Sequence, residues 1–240
     1  MKLYLAEFRP SELRAYLAKY PLALVPIGTI EWHADHLPLG VDGLLSRSIC
    51  EELARETGCV IAPPIWYGVC RDLSPEDGYY GTIATISEKT LESLIADVLN
   101  GLAGLGFRAA LLFSGHFETE HFDAIQRGIE QARGIEAYFL TEVHLLEDKV
   151  QTGEDVEETW HFAGDHAAEF ETSLMQHYHP DLVEMSQAPE TIELTMEGLP
   201  PYLHRRYPRR ASAAYGAQLR EEILRAGTKK IRDLMAQLQA

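Results

Sequence analysis

Twelve consecutive residues, Glu31-Trp32-His33-Ala34-Asp35-His36-Leu37-Pro38-Leu39-Gly40-Val41-Asp42, gather three carboxylates and two imidazoles. They follow an apolar run, Leu22 to Gly28, that reads as a buried strand emptying into a loop. Acids and imidazoles crowded at a strand end repel or desolvate one another unless something binds them, and a divalent metal is the usual remedy. Glu31 and His33, two positions apart in extended chain, project to the same side. The turn at Leu37-Pro38-Leu39-Gly40 brings Asp42 back toward them. A second pair, His116 and Glu118, repeats this spacing after the apolar run Ala109 to Phe113, with Gly115 allowing close backbone approach. Five donors of mixed oxygen and nitrogen type are too many for one tetrahedral zinc with an open position. They suit two divalent ions about 3.5–4 Å apart sharing a carboxylate. Asp42, flanked by Gly40 and Gly43, is the candidate bridge. Taken singly these are ordinary loop residues; the metal reading rests on two such pairs at successive strand ends.

The elements that must position these groups alternate between apolar strands and amphipathic helices, the pattern of an α/β layered fold. Strands are expected at Leu22–Ile27, Cys59–Ala62, Ala109–Phe113 and Ala137–Glu142. Helices are expected at residues 10–19, Leu44–Thr57, Ser87–Leu105, Thr119–Ala132, His166–His177 and Ala211–Leu238, with residues 146–163 a polar, acidic loop. Ser87 supplies a capping oxygen, and glycines 58 and 106 stop the helices before them. Neither a repeat nor a linker is visible, so residues 1–240 read as one domain. In open α/β sheets ligands collect at the carboxyl ends of strands, where both polar clusters fall.

The composition is 46% hydrophobic and 24% charged, ordinary for a globular chain, but the net charge of −16 argues against nucleic acid or an anionic membrane as partner. Residues 201–240 carry nine Lys or Arg against three acids, which fits a solvated basic face or a contact between subunits. Cys50, Cys59 and Cys70 lack metal-ligand spacing and read as reduced thiols in or near the core of a cytoplasmic protein. No basic-then-apolar leader and no run of about 18 apolar residues occurs, so neither secretion nor a membrane span is expected.

Four blocks resemble the creatininase (creatinine amidohydrolase) family. Residues 31–42 resemble its E-x-H-G-x-H-L-P-x-x-x-D signature, and Ser114-Gly115-His116-Phe117-Glu118-Thr119 its N-G-H-x-[EG]-N element. Gly81-Thr82-Ile83, after Tyr67-Gly68, is similar to its G-T-I/L-S segment, and residues 166–173 to its H-A-G-x-x-E-T-S block. The resemblance implies a three-layer αβα sandwich with a mostly parallel central sheet, often assembled as a hexamer. It implies two divalent ions, zinc and/or manganese, with Glu31 and His116 on one, His33 and Glu118 on the other, and Asp42 between them. It implies that His166 moves protons near the substrate, and that Glu171 either supports a ligand or acts as one. Ser74 stands where the family offers a substrate-contacting serine.

The departures bear on the substrate. Ala34 replaces the signature glycine, so the backbone there is expected to avoid positive φ. Ser114 and Thr119 replace two asparagines around His116. The family's tryptophan and aspartate before the histidine appear as Phe162 and Ala163, with Trp160 nearby as a partial substitute, which argues against creatinine. The expected activity is hydrolysis of a C–N bond in a small cyclic amide, linear amide or formamide, with Phe117 and Phe162 excluding water. The alternatives are a peptide-trimming hydrolase of the same fold and a catalytically idle, metal-binding oligomeric scaffold. His177 and His179 read as helix-end and turn residues, His121 and His144 as surface groups or supports behind the ligands, and Arg205, Arg206, Arg209 and Arg210 as a solvated or intersubunit patch.

Overall fold

The computed structural model describes residues 2–83, 86–150, 165–194 and 205–239. Strands β1 (Leu22–Ile27), β2 (Val60–Ile61), β3 (Ala109–Ser114) and β4 (Glu136–Thr141) form a sheet in the order β2-β1-β3-β4, every pair parallel. Each residue of β1 and β3 is buried, as expected of central strands covered on both faces.

Alternation along these strands feeds two separate cores. Leu22, Leu24, Leu111 and Phe113 point to one face, where α2 (Val41–Thr57), α6 (Glu169–Tyr178) and the long α7 (Ala213–Gln239) pack. Ala23, Val25, Ile27 and Leu112 point to the other, against α1 (Pro10–Leu17), α3 (Glu88–Leu105) and α4 (Thr119–Gln131). The result is three layers, αβα. The remaining helix, α5 (Glu142–Val150), adds Leu146 to the first core. A short antiparallel pair, β5 (Ile192–Glu193) with β6 (Arg205–Arg206), lies outside the main sheet and has no clear signal in the sequence.

Local signals explain most boundaries. The Ser87 hydroxyl accepts the Thr90 N–H at 3.1 Å and starts α3, and Gly106, at φ 101°, ends it. Two boundaries differ from expectation in ways that matter to the site. Helix α2 begins at Val41 rather than Leu44, so Asp42 sits in its first turn, where a carboxylate is favoured by the helix dipole. Glu142 opens α5 instead of ending β4, and the expected loop at 146–163 is helical as far as Val150.

The register Ile27↔Ser114 sets the carboxyl ends of β1 and β3 side by side. Two glycines then let the start of α2 press against both. A Cβ at Gly28 would stand 2.5 Å from the Gly43 nitrogen, and one at Gly115 would stand 2.4 Å from the Asp42 carbonyl oxygen. Asp42 is held where the two strand ends meet.

Candidate metal centre

The loop after β1 is tied down before its side chains act. The Glu31 N–H donates to the Leu39 carbonyl at 3.0 Å and the Trp32 N–H to the Thr82 hydroxyl at 2.9 Å. The fold places Ala34 at φ 58°. This corrects the expectation of negative φ: the turn keeps the conformation a glycine would take, and Ala34 carries the steric cost of a left-handed residue. Ala167, which follows the other cavity histidine, is likewise at φ 54°.

Asp42 lies at the centre, almost wholly buried. Its Oδ1 is 3.2 Å from His33 Nε2 and its Oδ2 is 3.3 Å from His116 Nδ1, while the Thr29 N–H donates to Oδ2 at 3.3 Å. Glu31 reaches the same volume: Oε2 is 3.2 Å from His116 Nδ1 and Oε1 is 3.4 Å from His166 Nδ1. Glu171, delivered by the first turn of α6, has Oε2 3.6 Å from His33 Nε2 and accepts the Ala167 N–H at 2.7 Å.

Each imidazole has one nitrogen committed to a backbone carbonyl. His33 Nδ1 lies 3.1 Å from the Glu31 oxygen, His116 Nε2 2.8 Å from the Val69 oxygen, and His166 Nε2 2.6 Å from the Trp32 oxygen. A carbonyl only accepts, so these nitrogens carry the proton and the opposite nitrogen of each ring faces the carboxylates. That orientation is how ligating histidines are commonly held. Glu31 Oε2, His33 Nε2 and Glu118 Oε1 are buried without a hydrogen-bond partner. Buried polar atoms left in this state fit a shared cation. Among the described residues, three groups bring ligand atoms within 4.8 Å of one another: Glu31, Cys70 and His116; Glu31, His33 and His166; and His33, Asp42 and Glu171.

Glu118 belongs to none of these groups. Its Oε2 lies 3.9 Å from His116 Nε2, at the opposite edge of that ring from Glu31 and Asp42, and accepts the Arg71 N–H at 2.8 Å. The carboxylate beside His33 Nε2 is thus that of Glu171, not of Glu118, because α6 brings it to that side of Asp42. Glu118 still walls the cavity, beside Phe117 and His166. Ser74 is not among the described residues lining the cavity; its hydroxyl accepts the Glu76 N–H at 3.1 Å and caps a short 3₁₀ turn. Trp160 and Phe162 lie outside the described residues.

Several residues of the site were read blandly or not at all. Cys70, Asp72, Glu142 and Asp165 line the cavity. Asp165 accepts the N–H groups of Glu169, Phe170 and Glu171, which sets the start of α6 and so the position of Glu171. An aspartate four residues ahead of a helical acid was the available signal. Arg206, grouped above with solvated or intersubunit arginines, is 4% exposed and its charge acts on Asp165. His121 is fully buried, accepts the Val69 N–H at 3.2 Å and packs edge-on against His116.

Electrostatics in the ion-free protein follow from this crowding. Burial opposes charge on His33, but Asp42, Glu171 and Glu31 prevail and lift it from 6.5 to about 9. Burial lifts Glu171 from 4.5 to about 7 and Glu142 from 4.5 to about 8. All three folded values exceed the unfolded ones, so each stabilising contribution is complete below the unfolded value and is lost as pH rises. For His33 that window runs from 6.5 to about 9; for the two acids it runs from 4.5 to about 7 and about 8. Below 6.5 His36 and His166, both pushed down to about 4, act with the opposite sign, so the chelated protein is expected to lose thermal stability as pH rises from 6.5 to about 9. The stabilisation by added zinc or manganese should grow over the same range, because cations displace protons. Melting temperatures measured with chelator and with metal at acid, neutral and alkaline pH check this; identical values under both conditions throughout would rule out an ion at the cluster.

A parallel sheet between two helical layers, with imidazoles and carboxylates converging beyond its strand ends, is the architecture of an α/β metallohydrolase. A family model described as creatinine amidohydrolase matches residues 6–231. The chain is 28% identical over 189 residues to creatinine amidohydrolase of Pseudomonas putida, covering 75% of this chain and 71% of that protein. It is 27% identical over 191 residues to 3-dehydro-scyllo-inosose hydrolase of Thermotoga maritima, covering 79% of this chain and 60% of that one. A crystal structure of creatinine amidohydrolase superposes with a TM-score of 0.81 at 21% identity, covering 98% of each chain. Other creatininase structures of this fold include a Zn–Zn form and a manganese form. The chain belongs to the creatininase family. It is a hydrolase of that family.

Proposed function

We propose that the chain hydrolyses a small, non-peptide amide at a binuclear centre in which Glu31, Asp42 and His116 hold one divalent ion and His33, Asp42 and Glu171 hold the other. The observation that carries this reading is Asp42, whose two oxygens face different imidazoles at 3.2 Å and 3.3 Å. The ions, zinc or manganese, supply Lewis-acid polarisation of the carbonyl and acidify water when bound.

The protein's own groups do the rest. Phe117, Tyr79 and Phe170 form apolar walls that exclude water and strengthen the electrostatic interactions inside. Glu142, kept protonated by burial near neutral pH, offers a hydrogen bond to a polar group of the substrate. His166 is held neutral at neutral pH, its value pushed down to about 4 by burial and by His33. With Nε2–H committed to the Trp32 carbonyl, Nδ1 faces Glu31 and is the atom that takes up a proton and returns it to the departing nitrogen. Glu118 keeps an unpartnered oxygen toward the same cavity and can share that proton.

The same reading extends to a single functional domain over residues 1–240, acting in the cytoplasm as a homo-oligomer of hexameric size. Three free, buried thiols support a reducing compartment, and the exposed Tyr67, Tyr80 and Ile83 support contacts between subunits. Among the described residues no helix is long and apolar enough to cross a membrane.

Elemental analysis of the purified protein should find two equivalents of metal, and a panel of lactams, formamides and short peptides should show turnover on the first two. Fewer than one equivalent after reconstitution with zinc or manganese sinks the binuclear reading. Turnover of peptides alone would favour peptide trimming, and full occupancy with no turnover would favour the idle scaffold.

A further inference from the structure

The cavity holds one group that the reading above leaves unused, the Cys70 thiol. Its neighbours hold it in place from both sides. The Val69 carbonyl accepts from His116 Nε2 at 2.8 Å, the Val69 N–H donates to His121 Nδ1 at 3.2 Å, and the Arg71 N–H donates to Glu118 at 2.8 Å. Cys70 is therefore suspended between two peptides that are themselves bonded to residues of the site. It is 3% exposed and lines the cavity with Glu31 and His116. Its Sγ, a Glu31 oxygen and a His116 nitrogen all lie within 4.8 Å of one another. The Glu31 carboxylate has a buried oxygen, Oε2, without a hydrogen-bond partner.

From this geometry we infer that Cys70 is a thiolate ligand of the ion held by Glu31, Asp42 and His116, making that position selective for zinc over manganese. The inference rests on the binuclear reading and adds an asymmetry to it. Glu31, His116 and Cys70 form one group of close ligand atoms, and Asp42, with Oδ2 3.3 Å from His116 Nδ1, is the fourth donor that an ion drawing these groups together would need for a tetrahedral set. The ion beside His33, Asp42 and Glu171 is left with the open coordination that substrate needs. A soft sulfur donor favours zinc over the harder manganese ion, whereas oxygen and nitrogen donors alone discriminate less. On binding, the S–H bond breaks, a metal–sulfur bond forms, and the proton leaves to solvent. Cys50 and Cys59 serve as internal controls, since both are buried thiols outside every ligand group among the described residues.

Cobalt(II) is the probe, because thiolate coordination gives it an intense near-ultraviolet charge-transfer band. Cobalt-loaded wild-type protein should show the band, Cys70→Ser and Cys70→Ala should lack it at equal cobalt content, and Cys50→Ser should keep it. In competition between zinc and manganese, Cys70→Ser should shift occupancy of one of the two ions at least about tenfold toward manganese, equivalent to about 1.4 kcal/mol. Cobalt bound by the wild type without the band, or a band that survives in Cys70→Ser, overturns the thiolate while leaving the binuclear centre intact. Failure of the wild type to take up cobalt, zinc or manganese at all overturns both. Circular dichroism of Cys70→Ser separates loss of the ligand from loss of the fold.

Discussion

Asp42→Ala is expected to abolish hydrolysis and to leave the protein without either ion. Both carboxylate oxygens are engaged, with His33 on one side and His116 on the other, and the side chain is 1% exposed. The substitution removes the one group common to both halves of the centre. The other donors are then left facing each other without the charge that drew them together. A fall in kcat/KM of at least about 10³-fold is expected, which corresponds to about 4 kcal/mol of transition-state stabilisation. Asp42→Asn keeps the shape and one acceptor but loses the charge, so it should retain the fold and still fail to hold two ions. Metal analysis alongside kinetics reads both effects. Retention of one tightly bound ion with most of the activity would show that Asp42 does not stand between the ions.

His166→Gln is expected to lower kcat by about 10²–10⁴-fold, the usual range for a proton-transferring group, while leaving both ions in place. The geometry allows a competing role, because His166 Nδ1 also belongs to a group with Glu31 and His33 whose ligand atoms lie within 4.8 Å. The two roles separate cleanly in the measurement. A proton carrier leaves metal content unchanged and removes one limb of the pH–rate profile. A ligand costs an ion. Loss of metal in His166→Gln would therefore reassign this histidine to the centre itself. The amide of glutamine can still accept at a similar position but cannot carry a proton through the cycle, so the variant tests the proton and not the space.

These expectations depend on residues that differ in how visible they were. Glu31, His33, Asp42, His116 and Glu118 stand out because acids and imidazoles repeat at two-residue spacing beyond uniformly apolar runs. β1 and β3 were legible for the same reason: every residue in them is buried, so the chain writes them as continuous hydrophobic segments. Glu171 was visible as a candidate ligand or support for one, but not as the neighbour of His33. Its helix begins 127 positions after Asp42, and only the Asp165 carboxylate at the start of α6 fixes where it arrives. Cys70 and Glu142 carried no local pattern at all. The thiol looks like a core residue until the segment around it is seen tied to His116 and Glu118, and Glu142 looks like a strand end until it opens α5. Ala34 misled for a related reason. An alanine argues for ordinary backbone, yet the tied loop holds it at φ 58°.

The sequence by itself determined the strands of the main sheet, the two-sided burial of β1 and β3 and the chemical types of the candidate donors. These are properties of composition and short-range periodicity, which solvent exclusion and backbone geometry translate directly into local structure. The tertiary structure alone decided which donors meet. It chose Glu171 over Glu118 beside His33, set Asp42 against both strand ends through the close approach at Gly28 and Gly115, and brought Cys70 to Glu31. The reason is that a shared site is a matter of distances across the fold, and those distances depend on strand order, register and helix placement, none of which a local pattern encodes.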